Sequence, residues 1–226
     1  MKLVLLDCDG TLVDSQHVIC AAMTSGFKAI GVAPPSREAV LSIVGLSVME
    51  AVTALAPLDT APELLGRLGS AYREASFALR AEPGFTEPLF EGARELVERL
   101  SAREDVVLGV ATGKSRRGLD SFLEREGLRE HFRTFQTADS APSKPHPGMI
   151  EQAIRETGAE PQRTVMIGDT SFDVQMAINA GARAIGVSWG YHPPELLKDC
   201  GADFVAQHFG EIEPAIDRLI PAREAS

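Results

Sequence analysis

The chain has 226 residues, 44% of them hydrophobic and 24% charged, with a formal net charge of −10. That length suffices for one compact body plus an insertion, and no segment approaches the ~20 uninterrupted apolar residues of a membrane span. The negative charge, with no dense Lys/Arg run against it, opposes binding to nucleic acid or an anionic membrane, so a phosphorylated ligand needs a local cationic site. Cys8, Cys20 and Cys200 have neither CxxC nor zinc spacing, which predicts no disulfide and a reducing, cytoplasmic setting.

Residues 3–6 form an apolar run stopped by Asp7, shorter than the ~7 to 15 residues of a signal-peptide core. They predict a buried strand, and similar runs recur at 106–111, 164–167 and 184–187. Helices are predicted over 91–100, 116–126, 149–156 and 172–180, with Gly127, Gly158 and Gly181 as stops. Strand and helix alternate, so the fold class is α/β, a doubly wound, Rossmann-like parallel sheet over residues 1–14 and 86–226. Residues 15–85 break the rhythm with helical periodicity, no strand, and interruptions at Pro34-Pro35, Pro57 and Pro62. They read as an inserted helical cap, with Phe27, Ile30, Val40 and Val44 in its core and a hinge at Pro83-Gly84 and Pro88.

Four places carry chemistry. Asp7-Cys8-Asp9-Gly10-Thr11 follows the first strand, at the carboxyl end where such sheets bind ligands. In continued strand geometry Asp7 and Asp9 would share a face, and a magnesium ion would relieve their repulsion; the plainer reading is a turn with Asp caps. Gly168-Asp169-Thr170-Ser171-Phe172-Asp173 again ends a strand in a carboxylate with a second one four residues on. It offers oxygen ligands to the same metal, against the alternative of helix capping by Asp169 or Thr170. Thr112-Gly113 ends a third strand with a hydroxyl and an exposed N–H suited to a phosphoryl oxygen. Gly113-Lys114-Ser115 imitates a P-loop ending, but Gly109 stands one residue too close. Lys144, between Ser143 and Pro145, is either a cation held by a stiff loop or a solvated surface charge.

The other candidates are weaker. His17, His131, His146, His192 and His208 lack metal-ligand spacing and read as satisfied loop or surface residues. Trp189 and Tyr191 read as packing groups, and Cys8, next to two acids that disfavour a thiolate, as an inert buried thiol.

Asp-x-Asp-Gly-Thr at 7–11, Thr112 after its strand, Lys144 before a proline and Gly-Asp-x-x-x-Asp at 168–173 together resemble the haloacid dehalogenase superfamily. Residues 7–15 and 43–47 are similar to its phosphoglycolate phosphatase branch, which carries a small helical cap. The resemblance implies Asp7 as nucleophile and Asp9 as the acid that protonates the leaving oxygen and later activates water. It implies Mg2+ held by the Asp7 carboxylate, the Asp9 backbone carbonyl and Asp169, with Asp173 at or beside the ion. Thr112 and the Gly113 N–H would bind phosphoryl oxygens, and Lys144 would offset charge and orient Asp7. The implied activity is hydrolysis of a small phosphorylated metabolite, phosphoglycolate first among them. The competing readings are a beta-phosphoglucomutase-like phosphosugar mutase and a noncatalytic phosphate-binding module.

Overall fold

Leu3, Val4, Leu5 and Leu6 have no exposed surface, because the strand they form, β1 (Lys2–Leu6), lies inside the sheet with a neighbour on each side. In the computed structural model, which describes residues 1–222, β1 pairs in parallel with β2 (Val106–Thr112) and β4 (Thr164–Gly168); Leu5 stands opposite Gly109 on one side and Met166 on the other. With β3 (Thr134–Thr137), β5 (Arg183–Val187) and β6 (Phe204–Ala206) the order is β3-β2-β1-β4-β5-β6.

Side chains alternate across a strand, and here both faces are apolar. Val4 and Leu6 enter one core, covered by α5 (Ala93–Ser101), α6 (Arg116–Arg125) and α10 (Ile212–Leu219). Leu3 and Leu5 enter the other, covered by α7 (Gly148–Thr157), α8 (Ser171–Asn179) and α9 (Pro194–Asp199). This is the expected doubly wound sheet, and the four inner strands and four helices read from the sequence fall within a few residues of their observed places. The outer strands β3 and β6 were not foreseen. β3 reads Thr-Phe-Gln-Thr, and its buried Thr134 and Gln136 replace the apolar signal with hydrogen bonds to Glu156.

Between β1 and α5 the chain builds α1 (Gln16–Ala29), α2 (Arg37–Leu41), α3 (Val48–Leu55) and α4 (Pro62–Arg80), with no strand. These helices close round their own core of Ile19, Met23, Phe27, Val40, Val44, Val52 and Leu68. Ile30 is half-buried at its edge. Pro62 does not interrupt this region as expected: it opens α4, where a missing N–H costs nothing. No described helix is long and apolar enough to cross a membrane.

Phe27 is 1% exposed at the centre of the helical core. Phe27→Ala is expected to destabilise the protein by about 3–5 kcal/mol, read as a lower urea midpoint at unchanged slope.

Candidate active site

Because β1, β2 and β4 are adjacent and parallel, their carboxyl ends open at one edge of the sheet. Asp7 follows β1, Thr112 ends β2 and Asp169 follows β4, so the sheet alone gathers these three of the predicted residues. The Asp7 N–H still bonds to β4, donating to the Ile167 carbonyl at 3.0 Å. Beyond it the chain turns, with the Leu12 and Val13 amides donating back to the Cys8 carbonyl. The turn passes Asp169 so closely that a Cβ on Gly10 (φ +82°) would lie 2.2 Å from a carboxylate oxygen, so this position admits only glycine.

Asp7 and Asp9 line one cavity, but their carboxylates have different partners. The Asp7 carboxylate joins those of Asp169 and Asp173, with oxygens within 4.8 Å of one another and all three residues buried. The Asp9 carboxylate is not in that cluster and instead pairs with Lys114 at 2.7 Å.

Lys144 has no exposed surface, which removes the solvated-charge alternative. Its Nζ lies 3.0 Å from Asp7 Oδ2 and 2.6 Å from Asp173 Oδ1. The capping alternative and the charge cluster prove to be properties of one residue. Thr170 caps α8, and Asp173 Oδ2 accepts from the Thr170 N–H and hydroxyl while Oδ1 faces Lys144. Asp169 does not cap; it accepts from the Thr11 hydroxyl and the Tyr191 N–H, each at 2.9 Å.

Three buried carboxylates against one ammonium leave two negative charges in excess. Burial pushes the Asp7 carboxyl up to about 6, although Lys144 pulls the other way. Burial, then the charges of Asp173 and Asp7, drive Asp169 well above the usual carboxylate range. Burial disfavours the Lys144 ammonium, but Asp173 and Asp7 outweigh it and hold the proton on. Asp7 Oδ1 accepts from the Cys8 N–H at 2.7 Å. Asp7 Oδ2 is buried with no hydrogen-bond partner, although Lys144 lies beside it. Excess charge, an orphaned oxygen and an all-oxygen donor set fit a hard divalent cation.

A cavity opens above this cluster, with Asp7, Asp9, Thr112, Gly113 and Lys114 on its floor and the helical region as its roof. The roof comes very close. A Cβ on Gly113 would lie 2.5 Å from the Gly45 carbonyl oxygen and 2.6 Å from that of Leu46. Two hydrogen bonds fix the same roof loop to the catalytic loops: the Ser47 N–H donates to Ser143 Oγ at 2.8 Å, and His192 Nε2 donates to the Ser42 carbonyl at 3.0 Å. Ser42 O can only accept and the Ser171 N–H, 3.1 Å from His192 Nδ1, can only donate. The imidazole is therefore the neutral Nε2–H tautomer, in keeping with burial lowering its pKa.

Sequence reasoning took His192 as an unremarkable satisfied histidine and Tyr191 as packing. His192 is satisfied but buried between roof and floor, and Tyr191 holds Asp169 through its backbone and bonds Ser15 through its hydroxyl. Neither role has a side-chain pattern to betray it. Trp189 packs on Phe209 and donates to the Thr11 carbonyl. Burial and the charges of Asp7 and Asp9 hold the Cys8 thiol well above its usual pKa, so it is inert.

The haloacid dehalogenase-like hydrolase profile matches residues 4–187, and the chain belongs to that family. It is 32% identical over 221 residues to "Probable phosphatase IndB" of Dickeya dadantii, covering 96% of this chain and 94% of that one. It is 27% identical to a phosphoglycolate phosphatase of Agrobacterium fabrum, covering 99% and 96%. The crystal structure of a "predicted phosphatase" from Clostridium acetobutylicum superposes with a TM-score of 0.84 at 23% identity, covering 96% of this chain and 98% of that one, and shows the same fold.

Burial penalises the Asp169 carboxylate, and asparagine can keep both of its hydrogen bonds with the Thr11 hydroxyl as acceptor. With EDTA at neutral pH, Asp169→Asn is expected to be more stable than wild type by about 1–3 kcal/mol in urea unfolding. Asp169 has a folded pKa raised above the ordinary 3.8, so its cost is full above the folded value and absent below 3.8. The advantage of the variant therefore shrinks to zero as pH falls toward 3.8.

Proposed function

We propose that the protein is a magnesium-dependent phosphatase that hydrolyses a small phosphorylated metabolite through an aspartyl-phosphate on Asp7. The observation that carries the reading is Asp7 itself: an accepting carboxylate braced by Lys144 within an acidic cluster, on the floor of a cavity it shares with Asp9. A pure binding module has no use for a nucleophile beside an acid.

Asp7, Asp169, Asp173 and the Asp9 backbone carbonyl would hold the magnesium, which supplies positive charge against the phosphoryl group. Thr112 and the Gly113 N–H grip phosphoryl oxygens, and Lys144 keeps Asp7 ionised and aimed. An Asp7 oxygen attacks phosphorus; the O–P bond forms as the bond to the leaving oxygen breaks, and Asp9 gives that oxygen a proton. Asp9 then takes a proton from the water that attacks the phosphorus, releasing phosphate and restoring Asp7.

Asp9 begins this cycle engaged. Burial raises its pKa, but Lys114 and Arg80 outweigh burial and hold the carboxyl below the usual range. It must leave Lys114 and take up a proton from solvent before it can deliver that proton to the ester oxygen. In this reading residues 15–85 are a cap that closes over a core of 1–14 and 86–226, working in the cytoplasm. The name of the Agrobacterium relative supports phosphoglycolate as a candidate ester.

The test is phosphate release from p-nitrophenyl phosphate and a panel of metabolite esters, with magnesium and with EDTA. Wild type is expected to require the metal, and folded Asp7→Asn to lose about 10⁴-fold or more in kcat. Equal activity of that variant sinks the reading, and isomerisation of a hexose phosphate without phosphate release replaces it with the mutase.

A further inference from the structure

The cavity wall carries information about the leaving group that the reaction centre does not. Three cations line it: Lys114, Arg80 and Arg73. Two are engaged. Lys114 holds Asp9, and Arg80 donates to both carboxylate oxygens of the buried Glu87, at 2.7 and 3.2 Å, and to the Ser76 hydroxyl. The side chain of Arg73, an exposed residue, has no ion pair or hydrogen bond with any described residue. Its guanidinium lies beside Gly69, one turn back on α4: a Cβ there would be 3.7 Å from an Arg73 nitrogen and 3.8 Å from Val48 Cγ1. Val48, the first residue of α3, is itself part of the cavity wall, so a planar donor fork rests at the wall with no acid to answer it.

Apart from the Tyr72 hydroxyl, the rest of the wall is poor in hydroxyl partners. Ile19, Met23, Val44, Val48 and Phe77 present hydrocarbon. Ser76 is taken by Arg80, and Ser115 caps α6 by accepting from the Gly118 N–H. A sugar would have to bury hydroxyls against these apolar groups, each costing free energy without a partner. Among the described residues Asp7 and Asp9 are the only acids lining the cavity, so a second anionic group on the substrate meets its complement at Arg73.

We propose that Arg73 is the specificity-determining residue of the cap, gripping a carboxylate at the far end of a leaving group whose body is apolar and poor in hydroxyls. The proposal rests on the phosphatase reading and narrows it, extending the substrate class from phosphoglycolate toward longer carboxylated esters and away from phosphosugars. Lysine cannot reproduce the two-pronged grip of a guanidinium, so Arg73→Lys is expected to retain only part of the preference.

The experiment compares kcat/KM for 4-carboxyphenyl phosphate, phenyl phosphate and glucose 6-phosphate, with magnesium, in wild type, Arg73→Met and Arg73→Lys, each checked for folding by circular dichroism. Wild type is expected to prefer the carboxylated ester over phenyl phosphate, with glucose 6-phosphate slowest. In Arg73→Met the ratio between the two aryl esters falls by about tenfold, mainly through KM, with Arg73→Lys between. Comparing variants cancels the intrinsic difference in leaving ability of the two phenols. A ratio that survives Arg73→Met, or glucose 6-phosphate turned over as fast as the carboxylated ester, overturns the inference alone. Folded wild type that hydrolyses no ester overturns the phosphatase reading and this inference with it.

Discussion

The structure is organised around the burial of Asp7, Asp169 and Asp173 beside a single buried ammonium. An isolated ionised carboxylate out of water is too costly to persist, so each member of the cluster is tied down by several independent elements. Lys144 reaches it from the loop before α7, Thr170 and Asp173 brace each other at the start of α8, and the Tyr191 amide arrives from the loop after β5. β1 and β4 must be neighbours for any of this to meet, which is why the centre of the sheet is the most apolar and most completely covered part of the molecule. What remains after this bracing, two negative charges and an orphaned Asp7 oxygen, is the electrostatic demand that a divalent metal satisfies.

The helical roof is registered against the same loops that build the cluster. Ser143, which accepts from Ser47, adjoins Lys144; His192, which donates to Ser42, adjoins Tyr191, whose amide holds Asp169. A shift of the roof is therefore felt next to two of the charged residues. The roof loop also presses on Gly113 too closely for any side chain, so the boundary between roof and floor runs through the turn after β2. Asp9 stands at that boundary, held by Lys114 from the floor.

Much of this was legible in the sequence, for identifiable reasons. Runs such as Leu3–Leu6 announce buried parallel strands because both faces must be apolar, and carboxylates that end such runs stand out against them. β3 escaped because Thr134 and Gln136 satisfy a buried face with Glu156 rather than with hydrocarbon. The separate partners of Asp7 and Asp9 escaped because a rule for which face a side chain takes names no partner for it. Lys114 drew notice only as an imitation of another motif; its real partner lies 105 positions away. The amides of Tyr191 and Ser47 escaped because every residue carries an N–H and nothing in the side chain marks the ones that matter.

The parallel pairing of β1 has a bearing on how the chain comes off the ribosome. β1 is made before its partners, which begin at Val106 and Thr164, so Asp7 emerges long before the strands that hold it in place. Lys144 and Asp169 follow later still, and the Tyr191 amide after them. A nascent chain halted before β4 thus has Asp7 with ordinary, solvated carboxylate chemistry. The charge cluster comes into being as a late step that requires contacts across more than 150 residues, a topology associated with slow folding.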